Sequence, residues 1–192
     1  MTTRQQNRLR TKSLLKHGRA IVAAGLPTIA QQDDLLAVAM VLAKMLADTA
    51  DPQRASRAAA LMHQLTTASA LKTPGTAKLA CTKGCGYCCH MWVAATAPEI
   101  FLLARSIRED KSRDPAATIA QIVARSAHTI GLTPAERFGA KRPCPLLVDN
   151  ACSQYRMRPA VCRQATSFDL AGCIDEYEGR NLGGGISISK VH

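Results

Sequence analysis

The sequence predicts a mainly α protein: an N-terminal helical unit, then a small metal-organised, cysteine-rich domain with a two-helix insertion. Three observations carry this expectation. Hydrophobic residues make up 47% of the 192 positions and aromatics only 4%, so alanine and leucine, both strong helix formers, must build most of the core. Apolar residues recur at helical spacing along several long stretches. Eight cysteines fall in two blocks, 81–89 and 144–173, on either side of two of those stretches.

The elements follow in order. From Arg4 to about Ala24, Leu14, Leu15, Ile21 and Val22 line one face of an amphipathic helix that Gly25 and Pro27 end. Asp33 or Asp34 caps a second helix through "LLAVAMVLAKMLAD", and Asp51-Pro52 starts a third through "QRASRAAALMHQLTTASAL". Met40, Met45 and Met62 suit the core of this unit rather than a metal site. Thr73-Pro74-Gly75 is the first clear break, giving a helical unit over 1–74 and a cysteine-cluster domain over 75–180. Inside that domain "EIFLLARSIRED" and, opened by Asp114-Pro115, "AATIAQIVARSAHTIGL" read as the inserted helices. Residues 181–192, with three consecutive glycines, read as a flexible tail.

No apolar run approaches the ~18 residues that span a bilayer, and the basic N-terminal segment lacks the apolar core and cleavage pattern of a secretory signal. The expected location is therefore cytoplasmic, where reduced thiols imply metal more than disulfides. The formal charge of +11 raises the question of nucleic acid. Arg4, Arg8, Arg10, Lys12, Lys16 and Arg19 are spread through the first helix, and no RNA-binding aromatic motif or paired-histidine finger accompanies them. An unidentified protein is the favoured partner and nucleic acid the less favoured one.

Cys81-x3-Cys85-x2-Cys88 has the spacing that holds three irons of a [4Fe–4S] cluster in radical SAM enzymes. The repeated βα units of those enzymes do not follow it, so their fold does not fit. Cys88 and Cys89 are adjacent, and neighbouring side chains diverge. They serve two centres, or two corners of one cluster, more easily than one mononuclear site. Gly84 and Gly86 let the backbone wrap around a metal. The remaining thiols are Cys144, Cys152, Cys162 and Cys173. Lys78, Lys83, Lys141, Arg142, Arg156, Arg158 and Arg163 make the cysteine segments cationic, which favours thiolates and offsets an anionic centre. His90 reads as a solvent or supporting residue before it reads as a ligand. Tyr155 and Trp92 read as packing residues, and Arg158 as the partner of a sulfur, a carboxylate or a helix end.

Over about residues 78–175, the series Cys81-x3-Cys85-x2-Cys88-Cys89, Cys144-Pro145-x-Leu147, Cys152-x2-Tyr155-x2-Arg158-Pro159-x2-Cys162-Arg163 and Cys173 resembles the bacterial cysteine-cluster proteins of the CxxxCxxCC type. These are catalogued as zinc- or iron-chelating domains. The resemblance implies a metal or iron–sulfur centre with all eight cysteines as candidate ligands. One branch of that family is linked to methylation of flagellin lysines; no SAM-binding or substrate-recognition part can be identified in this sequence to carry that activity over.

Three functions remain in view. The first is an iron–sulfur protein, with a [4Fe–4S] cluster, for electron transfer or for redox or metal sensing. The second is a Zn2+-stabilised interaction module whose basic helix binds an acidic protein or nucleic acid. The third and weakest is a cluster-dependent enzyme that modifies a protein. No Ser-His-Asp set, phosphate loop or paired carboxylates supports other catalysis.

Overall fold

A computed structural model describes residues 2–25, 32–71, 79–180 and 187–188. The chain divides into two compact units, Met1–Pro74 and Gly75–His192. The predicted break at Thr73-Pro74-Gly75 lies outside the described residues, as does Lys78.

In the first unit, α1 (Thr3–Ala23), α2 (Gln32–Ala47) and α3 (Arg54–Leu71) follow one another. Asp33 and Asp34 fall within the first turn of α2, where carboxylates favour the positive end of the helix dipole. Gly25, at φ +75°, ends α1 in the left-handed region that glycine enters without strain. Val38, Leu61 and Leu65 form the core, with Ile21, Val22, Val41, Leu42 and Met45 packed against them. Gly18 is buried where α1 crosses α2, and a Cβ there would stand 2.3 Å from the Ala37 carbonyl oxygen. The crossing requires glycine. His17 Nε2 donates to the Asp34 carboxylate at 2.6 Å beside this contact.

The second unit starts with the first cysteine block, which ends in a 3-10 turn at Tyr87–His90. The insertion then runs through α4 (Ala97–Glu109), α5 (Pro115–Ala127) and a short α6 (Pro134–Gly139). It therefore holds three helices where two were expected; the third is a single turn and a half, started by Thr133, whose hydroxyl accepts from the Glu136 N–H. Asp114 caps α5 as predicted, accepting from the Ala116 and Ala117 N–H groups. α5 stops at Ala127, short of the expected Leu132. α4 buries Leu102 and Ile107.

Beyond the insertion, β1 (Leu147–Val148) and β2 (Ala151–Cys152) form an antiparallel hairpin. Its turn residues Asp149 and Asn150 both have positive φ, 49° and 56°, the geometry whose twist suits a two-residue hairpin. A 3-10 turn at Tyr155–Met157 leads to α7 (Ala160–Gln164), β3 (Ala165–Thr166) and α8 (Leu170–Glu178). β4 (Ser187–Ile188) pairs antiparallel with β3; the rest of the predicted tail lies outside the described residues. Among the described residues, no helix is long and apolar enough to cross a membrane.

Candidate metal centre

All eight cysteines are free thiols: Cys81 is exposed, Cys173 buried and the other six half-buried. Their mutual influence divides them into two groups. Cys85 feels the charges of Cys81, Cys88 and Cys173, and Cys173 those of Cys81 and Cys88. Cys89 feels Cys144 and Cys152 as well as its neighbour Cys88. Cys162 feels Cys144 and Cys152, and also Cys88. One quartet is thus Cys81, Cys85, Cys88 and Cys173; the other is Cys89, Cys144, Cys152 and Cys162. Cys88 borders both.

Local structure explains this partition. Gly84 at φ +95° turns the chain between Cys81 and Cys85, and the Cys85 N–H closes the turn on the Thr82 carbonyl at 3.1 Å. Gly86 has φ −107°, so its backbone does not demand glycine. Successive residues of a 3-10 turn differ by about 120° in direction, which sends Cys88 to one quartet and Cys89 to the other. Ser167 gathers the ends of the first quartet: its N–H donates to Cys81 Sγ at 3.3 Å and its side chain reaches Cys173. The Cys144 N–H donates to the Cys89 carbonyl at 2.8 Å. The hairpin sets Cys152 opposite Leu147, whose N–H returns to the Cys144 carbonyl at 3.0 Å.

The electrostatics are those of crowded, partly buried thiols. Burial raises Cys85, Cys144 and Cys173 above the ordinary thiol value, and raises Cys162 to about 12. Cys88 goes the other way, to about 7, because the Cys89 thiol hydrogen-bonds its sulfur and Arg158 adds a nearby positive charge. The same hydrogen bond holds Cys89 protonated and pushes it up.

Three arginines act on these sulfurs. Arg158 acts on Cys88 and Cys162; Arg125 and Arg137 act on Cys144. Arg125 also donates to the Cys144 carbonyl at 3.2 Å. Arg137, only 8% exposed, donates to the carbonyls of His90 and Arg142. The last two arginines come from α5 and α6, so the insertion supplies cations that a count along the cysteine segments misses. Glu99, Ser167 and Gln154 are buried supports that the sequence did not single out. Of these, Glu99 had a signal: Thr96-Ala-Pro-Glu99 is a helix-start pattern in which the glutamate reaches back.

His90 Nδ1 lies 3.2 Å from the Gly86 carbonyl and 3.3 Å from that of Tyr87, and its ring packs 4.8 Å from Tyr177. Tyr177 on α8 also meets Tyr87 and Phe138, with Lys141 Nζ 5.0 Å from its ring centre. This aromatic group ties the first cysteine turn to α8. Trp92 is 51% exposed and is not a core residue. Tyr155 is exposed and carries the Arg158 guanidinium 4.0 Å from its ring centre. A cavity of about 460 Å³ reaches Cys152, Gln154 and Tyr155 from the side of Glu109 and Asp110, so the second quartet has an edge near solvent.

Residues 80–179 match the CxxCxxCC family, described as "Putative zinc- or iron-chelating domain". The chain belongs to the CxxCxxCC family. Its first two cysteines are separated by three residues where the family name spells two. No curated protein and no solved structure matches it. The family implies metal binding, and the donor set fits: each quartet offers four soft thiols, the set that binds zinc or an iron–sulfur cluster. Arg158 Nε is a buried donor with no hydrogen-bond partner among the described residues, beside Cys88 and Cys162, as an anionic sulfur centre would require. Among the described residues, no three His, Cys, Asp or Glu side chains converge on a point that could hold a single ion. The quartets are neighbourhoods of thiols rather than closed one-ion shells.

Proposed function

We propose that this CxxCxxCC protein is an iron–sulfur protein that transfers electrons or senses redox state. Cys81, Cys85, Cys88 and Cys173 would hold one centre, and Cys89, Cys144, Cys152 and Cys162 the other. The observation that carries the reading is the division of eight thiols into two groups of four, with the Cys88–Cys89 step as their boundary. One feature supports iron–sulfur over bare zinc: the C-x3-C-x2-C spacing of Cys81, Cys85 and Cys88 is a cluster spacing. When bound, such a centre supplies one-electron oxidation and reduction.

The protein's own residues shield and tune that centre. Arg125, Arg137 and Arg158 offset thiolate charge, and the hydrogen bonds of Ser167 steady Cys81. Four thiols per quartet leave no open ligand position, so the reading favours electron transfer over catalysis. The test is iron, zinc and acid-labile sulfide content with a visible spectrum, on protein purified without air. Iron with matching sulfide and a brown colour that bleaches on reduction is expected, and Cys173→Ser and Cys162→Ser should each remove part of it. About two zincs per chain and no colour would replace this reading with the zinc-stabilised module. Neither metal would overturn both.

A further inference from the structure

We propose that the stripe Arg4, Arg8, Lys12, Lys16 and Arg19 on α1 is a docking surface for the phosphate backbone of double-stranded DNA. It stands independently of the metal reading. Along the sequence these cations are merely spread out; on the helix they line up. At about 100° per residue, the five lie within an arc of roughly 120°, and at about 1.5 Å per residue they extend over ~22 Å. All five side chains are exposed. None has an acidic partner among the described residues, and the first acid of the chain is Asp33. Arg10 is the sixth cation of the helix and lies off the stripe, about 120° beyond its nearer edge.

The rest of α1 selects the partner. Its apolar residues Leu14, Leu15, Ile21 and Val22 are half-buried, with Leu15 and Val22 at the Arg4 edge of the stripe, and Gly18 is buried against α2. Leu9, 52% exposed, is the one large apolar side chain that α1 leaves open, where a membrane surface takes a continuous apolar face. Gln5, Gln6, Asn7, Thr11 and Ser13 surround the cations with neutral groups that donate hydrogen bonds to phosphate. Residues 1–74 contain no Phe, Tyr or Trp, and recognition of single strands depends on stacking bases against such rings. A straight helix backed by a second helix fits the ~12 Å major groove of B-DNA, whereas the deep, narrow major groove of duplex RNA excludes it. The surface therefore takes duplex DNA, through phosphates and without base reading.

The experiment is fluorescence anisotropy of a labelled 20-base-pair mixed-sequence DNA duplex with the full-length protein, across a salt series. Five phosphate contacts give a slope of log K against log salt of about −4.5, or roughly a 500-fold loss of affinity from 50 to 200 mM salt. The triple variant R8Q/K12Q/K16Q should reduce the slope to about −1.8, and R10Q should leave it near the wild-type value. Far-ultraviolet circular dichroism confirms that the variants keep their helices. Absence of binding at 50 mM salt overturns the proposal. So does a slope that R10Q lowers as much as each stripe substitution does. Equal or tighter binding to single-stranded DNA, duplex RNA, poly-glutamate or anionic vesicles assigns the stripe to another partner and overturns it as well.

Discussion

Glu99 joins the insertion to the second cysteine block, and its removal should be costly. The side chain is 7% exposed. One carboxylate oxygen accepts from the Ala160 N–H at 2.7 Å, and the other from the Thr96 N–H and hydroxyl at 2.8 and 2.9 Å. Ala160 opens α7, which carries Cys162. Hydrogen bonds to a charged acceptor contribute about 1.5–3 kcal/mol each, and a buried donor left unpaired costs about 1–3 kcal/mol. These terms overlap, so Glu99→Ala should cost about 3–5 kcal/mol. Glu99→Gln keeps one oxygen for Ala160 and should cost about 1–2 kcal/mol. Urea unfolding followed by the fluorescence of Trp92, the one tryptophan of the chain, reports on this unit. Ala160→Pro removes the N–H at the first helical position, where proline is tolerated. The Glu99→Ala/Ala160→Pro pair should therefore cost at least about 1 kcal/mol less than the sum of its single variants. Strict additivity would refute the bridge between α4 and α7.

Three further outcomes are expected. Gly18→Ala forces a methyl against the Ala37 carbonyl and should destabilise the first unit by about 1–3 kcal/mol, seen as earlier loss of helical circular dichroism on heating. Leu102→Ala, at a side chain 1% exposed, should lower stability by about 2–5 kcal/mol in the urea titration. Because Cys85, Cys144, Cys162 and Cys173 are held above the ordinary thiol value, they are protonated between about pH 6 and 8. Metal must displace those protons, so affinity should rise with pH, roughly tenfold per unit for each proton released, in chelator competition at pH 7 and 8.

The helices were legible because each has a local cause. Alanine and leucine periodicity marks α1 to α3, and Asp114-Pro115 and Thr96-Ala-Pro98-Glu99 mark the starts of α5 and α4. The expectation that adjacent Cys88 and Cys89 diverge also came from backbone geometry alone. What was not legible depends on chain crossings. Ser167 lies 86 residues from Cys81 in sequence, and Arg125 lies 19 from Cys144. No local pattern announces such pairs. Trp92, 51% exposed, was misread as a core residue because an aromatic side chain suits either a core or an exposed surface, and only the tertiary environment decides; Tyr155 does pack on the cysteine domain, from its outside. For Tyr155 the deciding neighbour is Arg158.

That neighbour bears on how two centres could sit so close together. Each quartet with its metal would be anionic, and the Cys88–Cys89 peptide joins them, so the charge on one raises the cost of charge on the other. Arg158 acts on Cys88 from the first quartet and on Cys162 from the second. Its guanidinium is held by the Tyr155 ring at 4.0 Å, and Nε has no acceptor among the described residues. A carboxylate partner would have neutralised the cation; a ring positions it and leaves its charge to the sulfurs. Arginine suits this position better than lysine, because its guanidinium can lie over the Tyr155 ring and still direct several N–H donors at the sulfurs. On the proposed reading, Arg158 is the charge that lets the two quartets share one turn of backbone.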